Sequence, residues 1–347
     1  MRVFVQIPCL NEEATLPLVL ATIPRRIEGV DEVVILVIDD GSTDRTVEVA
    51  KKLGVKNFVV HPRTMGLARS FSDGVNYALE HGADIVVNTD GDNQYPQEMI
   101  PELLDPVISG EADIAIADRQ TSKIKEFSWF KKRMQHLGSK VVNAAASTDL
   151  PDAASGFRAY SRESLYRLNV VTQFSYCMET IIQAGNKRLR IASVPVTTNP
   201  KTRESRLFKN IWQHMFKSGT AITRSYLMFK PYKILGWIAA ILGVVGIVPL
   251  IRFLVFWIMG EYEGHIQSLV LGSSMTVGAL ITLTILIVAD LQRTNRVLIE
   301  DVLERVKRIQ YEQPRSSPAA MITDATSDEN SESSVVEPPN HSVHAES

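Results

Sequence analysis

Apolar residues fall in short runs separated by polar turns through residues 1–120, and in two far longer runs nearer the end of the chain. Residues 2–7 read as a buried strand that stops at Pro8. Residues 11–24 read as a polar-headed helix with apolar positions Leu16, Val19, Leu20 and Ile23. The unbroken apolar run at 33–38 suits a parallel strand covered on both faces. A helix to about residue 53, a strand at 57–61, a helix at 66–81 and a strand at 84–88 follow. Residues 96–109 read as a helix and 112–117 as another strand. This alternation predicts an α/β fold with a doubly wound sheet. Beyond residues 152–161 a largely helical stretch runs to about 184, and 194–200 is extended. No internal repeat is visible.

The runs at 234–258 and 266–291 are each about 25 residues long. At about 1.5 Å per residue, either helix covers a hydrocarbon core of roughly 30 Å. They predict a two-helix hairpin that anchors the preceding domain to a bilayer. Lys230 and Lys233 precede the first run, Arg293 and Arg296 follow the second, and the connecting loop at 261–265 is acidic. By the positive-inside rule, both termini and the N-terminal domain lie in the cytoplasm. Arg252, late in the first run, is the discordant charge; it is expected to snorkel toward the far interface. The resulting division is a domain at 1–206, juxtamembrane amphipathic helices at 207–232, two spans at 233–292, a charged helix at 293–311 and a disordered tail at 312–347. The paired spans also make a homo-oligomer an expectation.

A formal net charge of -2 gives no basic signature, so no nucleic acid partner is expected. Cys9 and Cys177 are the two cysteines; they form no CxxC and fit a reducing compartment. Residues 1–8 are too short an apolar stretch to be a secretory signal.

The sharpest chemical signal is Asp90-Gly91-Asp92 at the end of a predicted strand, where open α/β sheets bind ligands. In an extended segment both carboxylates project to one side. Two such charges about 4 Å apart repel by roughly 4 kcal/mol at an effective dielectric near 20, and a divalent cation converts that repulsion into coordination. Mg²⁺ or Mn²⁺ suits the oxygen donors, Gly91 permits close approach, and Gln94 can add an oxygen. A solvated turn is the plainer reading of the same residues. Asp39 and Asp40, after the strand at 33–38, offer acceptors for a base N–H or ribose hydroxyls, or simply cap a helix. Neither GxGxxG nor a P-loop is present. Lys123, Lys125, Lys131, Lys132 and Arg133, interleaved with Phe127, Trp129 and Phe130, suit a loop approaching anionic headgroups; a solvated helix face is the plainer alternative.

Four segments in order carry a resemblance: Ile-Pro-Cys-Leu-Asn-Glu at 7–12, Ile-Asp-Asp-Gly-Ser-Thr-Asp at 38–44, Thr-Asp-Gly-Asp-Asn-Gln-Tyr-Pro at 89–96, and Ser-Gly-Phe at 155–157. Over roughly residues 1–210 the chain resembles the family 2 glycosyltransferases, and among them the polyprenyl-phosphate hexose synthases of dolichyl-phosphate mannose synthase type. The resemblance implies a GT-A fold, with a mixed, doubly wound sheet and helices on both faces. It implies that Pro8, Glu12, Ile38 and Asp40 border the nucleoside of a UDP- or GDP-linked sugar, and that Asp90, Asp92 and Gln94 hold the metal on its diphosphate. Arg119 and Arg206 would bind phosphate, and Lys201 or Arg203 would help. Lys132 and Arg133 would receive the lipid phosphate. Leu10 and Gln120 stand where relatives carry tyrosine, and Arg206 where they carry lysine, a planar fork in place of a point charge. The Gln-x-x-Arg-Trp motif of processive synthases is absent.

The implied reaction moves one sugar, with inversion, to a polyprenyl (dolichyl or undecaprenyl) phosphate. Asp92, Arg119 and Arg206 would act on charge rather than on a proton, because the acceptor oxygen is already ionised. A hydroxyl of a lipid-linked saccharide is the alternative acceptor. It would need a base, for which Glu179 is the candidate; a structural or helix-surface role is the plainer reading of that residue. A non-catalytic membrane protein that binds nucleotide sugars is the remote alternative.

Overall fold

The computed structural model describes residues 1–120, 129–171, 176–200, 231–260 and 266–312, with the backbone alone at 129–137 and 231. The strands are β1 Arg2–Cys9, β2 Glu32–Asp39, β3 Asn57–Val60, β4 Ile85–Asn88, β5 Ile114–Asp118, β6 Arg158–Ser161 and β7 Ile191–Pro195. Among the described residues they form one sheet in the order β3-β2-β1-β4-β6-β5-β7. β1 is parallel to β2 and β4, and β2 to β3. β6 inserts antiparallel between β4 and β5, and β5 pairs with β7 in parallel, so the sheet is mixed.

β1 lies inside the sheet, between β2 and β4, and carries Pro8, a residue normally excluded from interior strands. Its register explains the tolerance. Thr89 N donates to Gln6 O on the β4 side, while Asp40 N donates to Cys9 O on the β2 side. Pro8 therefore faces the β4 side, beyond the last β4 pair at Gln6–Asn88, where no ladder bond is lost. The period of two also sorts the core. Val3, Val5 and Ile7 face a cluster with Leu16, Leu20, Ile100 and Leu103; Phe4 faces another with Phe71, Tyr160, Tyr176 and Ile181.

The helices that cover the sheet are α1 Leu16–Thr22, α2 Thr46–Lys52, α3 Leu67–Glu80, α4 Ile100–Ile108, α5 Trp129–Ala146, α6 Arg162–Arg167 and α7 Tyr176–Asn186. Three sequence expectations change. The first helix begins at Leu16 rather than 11, because the amides of Asn11, Glu12 and Glu13 bond to Ser42 Oγ, Thr46 Oγ1 and Asp44 Oδ2. The sequence pattern assigns no element to residues 158–161, where β6 lies; its four residues are too few to show a period. Trp129, Phe130, Lys131, Lys132 and Arg133 begin helix α5 rather than forming a loop. Residues 121–128, with Lys123, Lys125 and Phe127, lie outside the described residues, as do the expected juxtamembrane helices up to 230 and the tail from 313.

Two further helices, α8 Pro231–Met259 and α9 Ile266–Glu312, are long and apolar enough to cross a membrane. Their apolar side chains face outward: Trp237 is 72% exposed and Ile258 71%, which a core helix of a soluble protein would not show. They cross closely. A Cβ at Gly272 would lie 2.8 Å from Gly246 O, so small residues set the contact. Arg252 lies over the Phe256 ring at 5.8 Å. Residues 266–312 form one uninterrupted helix, joining the second span to the charged segment expected beyond it.

Candidate active site

The loops after β1, β2 and β4 leave the sheet at one end, since Cys9 pairs with Asp39 and Gln6 with Asn88. The first two are clamped together. Asn11 adopts a left-handed backbone (φ 56°) and its Oδ1 accepts from the amides of Thr43 and Asp44 at 2.7 and 3.3 Å. Glu12 is buried, and its Oε2 accepts from Thr15 Oγ1 at 2.6 Å. Ile38 is fully buried in the core beneath the loop.

Asp40 is committed to a neighbouring loop. Its Oδ1 accepts from Met65 N at 2.8 Å and lies 2.8 Å from His61 Nδ1, while Oδ2 accepts from Gly66 N at 2.9 Å. The other nitrogen of His61 lies 3.2 Å from Asp73 Oδ2. Asp39 differs: it is 3% exposed, and its Oδ1 has no hydrogen-bond partner. A buried acceptor without a donor is costly unless something else supplies one. Sequence reasoning selected Asp40 from this pair and missed His61.

The Asp90–Asp92 turn packs on the first loop. A Cβ added at Gly91 would lie 3.0 Å from Cys9 Sγ and 3.3 Å from Glu12 Cγ, so the neighbour that glycine admits here is protein. Burial pushes the Cys9 thiol well up, leaving it a neutral packing group. Gln94 donates to both oxygens of Asp92, from N at 3.1 Å and from Nε2 at 2.7 Å. Asn199, just past β7, binds the turn from outside. Its N donates to Gln94 O at 3.0 Å and its Nδ2 to Asn93 O and Tyr95 O.

Asp90 faces the Ser-Gly-Phe segment, where a Cβ at Gly156 would lie 3.3 Å from its Oδ2. Tyr95 OH accepts from Gly156 N at 2.8 Å, and Asn88 Nδ2 and Tyr176 OH both donate to Gly156 O. Below them Arg158 is fully buried, donating to Ser155 O, Ala153 O, Cys177 O and Thr180 Oγ1. Burial, followed by repulsion from Asp92, pushes the Asp90 carboxyl up to about 7.

Arg119 follows β5 and forks onto Asp152, Nε to Oδ2 at 2.6 Å and Nη2 to Oδ1 at 2.9 Å. Burial alone would raise Asp152, but the Arg119 fork outweighs it and holds the carboxyl below its usual range. Glu179 is 2% exposed, accepting from Val171 N at 3.1 Å and from Gln183 Nε2 at 3.4 Å. Arg203 and Arg206 lie outside the described residues, and of Lys132 and Arg133 only the α5 backbone is described.

Among the described residues no three His, Cys, Asp or Glu side chains form a metal cluster. The donor set still fits a shared divalent ion. Two mutually repelling carboxylates and a carboxamide leave positions for substrate oxygens and water, as Mg²⁺ and Mn²⁺ sites commonly do.

The glycosyl transferase family 2 model matches residues 4–168. An undecaprenyl-phosphate mannosyltransferase of Micrococcus luteus is 31% identical over 207 residues, covering 57% of this chain and 83% of that protein. The chain belongs to glycosyltransferase family 2. A low-salt glycan biosynthesis hexosyltransferase of Haloferax volcanii is 31% identical over 219 residues, 61% of this chain; the match spans about half (51%) of that relative's length. Glucosyl-3-phosphoglycerate synthase from Mycobacterium tuberculosis, solved with Mn²⁺, uridine diphosphate and phosphoglyceric acid, matches with a TM-score of 0.52 at 22% identity. That match covers 65% of this chain and 77% of that one, and is a likeness of fold. This family 2 glycosyltransferase thus has the expected GT-A-like mixed sheet, joined to two apolar helices.

Proposed function

We propose that this glycosyltransferase moves a single sugar, with inversion, from a nucleotide diphosphate sugar to a membrane polyprenyl phosphate. One observation carries the proposal: the same chain has the Asp90–Asp92 turn at the carboxyl end of β4 and two helices whose apolar side chains face outward. The undecaprenyl-phosphate relative supports the choice of acceptor.

Mg²⁺ or Mn²⁺, held by Asp90 and Asp92 with the Gln94 carboxamide, would supply positive charge to the leaving diphosphate. The chain's own residues bind and orient. Pro8, Glu12 and Ile38 shape the nucleoside side; Asp40 holds the Met65–Gly66 loop, and the unpartnered Asp39 Oδ1 accepts a base N–H or ribose hydroxyl. Gly91 lets the first loop close on the acidic turn. Arg119, aimed by Asp152, sets a fixed positive charge beside the site, and Arg206, helped by Arg203, would bind phosphate. Lys132 and Arg133, near the start of α5, receive the lipid phosphate. No base is needed, because the attacking phosphate oxygen is ionised at neutral pH.

The enzyme sits in a bilayer through its two spans, and the Lys233, Arg293 and Arg296 flanks support a catalytic domain on the cytoplasmic side. UDP- and GDP-linked sugars are the donor classes, and self-association through the spans fits the hairpin. Screening radiolabelled nucleotide sugars against polyprenyl phosphate in vesicles, with and without chelator, tests the proposal. It expects one chelator-sensitive glycolipid product; label found only on a hydroxyl acceptor would refute it.

A further inference from the structure

Beyond the expected end of the second span, α9 turns a polar, mostly charged stripe toward the catalytic domain: Arg296, Glu300, Glu304, the adjacent Lys307 and Arg308, and Tyr311, successive turns being three or four residues apart. Glu300 accepts from Lys187 Nζ at 2.8 Å and from Arg296 Nε at 2.6 Å, with its side chain 11% exposed. Lys307 Nζ donates to Leu168 O and Asn169 Oδ1, each at 2.8 Å, and to Leu165 O at 3.3 Å. It thereby satisfies carbonyls at the end of α6 that the helix itself leaves open. Arg308 pairs with Glu163 and with Glu304. Tyr311 stacks on Tyr166 with ring centroids 6.3 Å apart, and its OH donates to Asn76 Oδ1 on α3. Hydrogen bonds and ion pairs dominate this seam. They fix one register, where a smooth apolar face would allow sliding.

The place of the seam in the fold gives it meaning. Ser161 pairs with Ile85, the first residue of β4, so α6, starting at Arg162, lies at the end of the sheet opposite the Asp90 turn. The contacts run along α9 from Glu300 to Tyr311 and reach Lys187, α6 and α3. A single contact leaves a domain free to swivel; contacts spread along a rigid helix fix its tilt. Glu300 stands nine residues past residue 291, roughly 14 Å of rigid helix.

We propose that the α9 extension is a strut that sets the tilt of the catalytic domain over the bilayer, with Lys307 and Glu300 as positioning residues for the lipid-borne acceptor alone. The inference rests on the polyprenyl-phosphate reading above. Tilt governs how often a membrane-bound phosphate reaches the site, and leaves a soluble nucleotide sugar unaffected.

The full-length protein with Lys307→Ala and Glu300→Ala, reconstituted in vesicles, tests this, with Lys307→Arg as the conservative control. Long-chain polyprenyl phosphate in the bilayer should be used about tenfold less efficiently. A short-chain analogue in detergent and the donor KM should stay within about twofold, inside the range of ordinary surface changes. Backbone amides of 300–312 should exchange faster, and Lys307→Arg should retain vesicle activity. Equal loss on both acceptors, unchanged exchange, or full vesicle activity with a released strut would overturn the strut. Wild-type protein that uses neither phosphate acceptor would instead overturn the acceptor reading, and this inference with it.

Discussion

Arg119 and Asp152 form a two-point ion pair, 2.6 and 2.9 Å, that joins the end of β5 to the segment preceding Ser155. The carboxylate is 1% exposed and the guanidinium 18%, so the pair is screened little by solvent. Asp152→Asn keeps the shape and loses the charge. It should cost about 3 kcal/mol of stability, and lower kcat by about 10² with a smaller change in donor KM, because Arg119 loses its aim. Steady-state kinetics and a thermal melt check both. A kcat near wild type would show that the pair only braces the fold.

The Asp90 carboxyl, lifted by burial and by Asp92 to about 7, predicts a metal–proton competition. Without metal, the folded protein holds this proton more tightly than the unfolded chain. Stability therefore falls as pH rises from about 4 to about 7 and levels off above. A divalent ion needs the ionised group, so its affinity should fall about tenfold per pH unit below 7 and stay flat above. Calorimetric titration with Mn²⁺ at pH 6 and pH 8, with melts alongside, should show the larger rise in Tm at pH 8. Equal rises would contradict it.

Gly91→Ala should destabilise by about 1–3 kcal/mol, because the new methyl meets Cys9 Sγ at 3.0 Å and Pro8 O at 3.4 Å in a closed contact. Transfer should fall with it, since the first loop and the acidic turn are pushed apart. An unchanged melt would mean the loops separate freely.

Glu179→Gln should keep kcat within about threefold, because the carboxamide oxygen can still accept from Val171 N. A general base removed in this way would cost about 10² to 10⁴. The ratio of initial rates separates the two.

Much of this was legible in the chain. The strand–helix alternation through residue 117 and both apolar helices follow from periodicity, and the motif segments at 7–12, 38–44, 89–96 and 155–157 converge on one end of the sheet. What was not legible depends on contacts between distant segments. β6 is four residues long, and its place between β4 and β5 comes from pairing over long separations. The choice between Asp39 and Asp40 needed the Met65 and Gly66 amides, which arrive from another loop. Asn199 and His61 carried no local pattern; their partners lie on other elements. Asp152, three residues before Ser155, and Asn88, ending an apolar strand, were visible as polar residues in telling places.

The most direct test of the account compares Asp92→Ala with wild type for Mn²⁺- or Mg²⁺-dependent transfer to polyprenyl phosphate in vesicles. The account predicts loss of transfer by at least about 10³, with membrane insertion and the melt of the domain preserved. Wild-type turnover in the variant, or turnover in either protein that is indifferent to chelator, would contradict it.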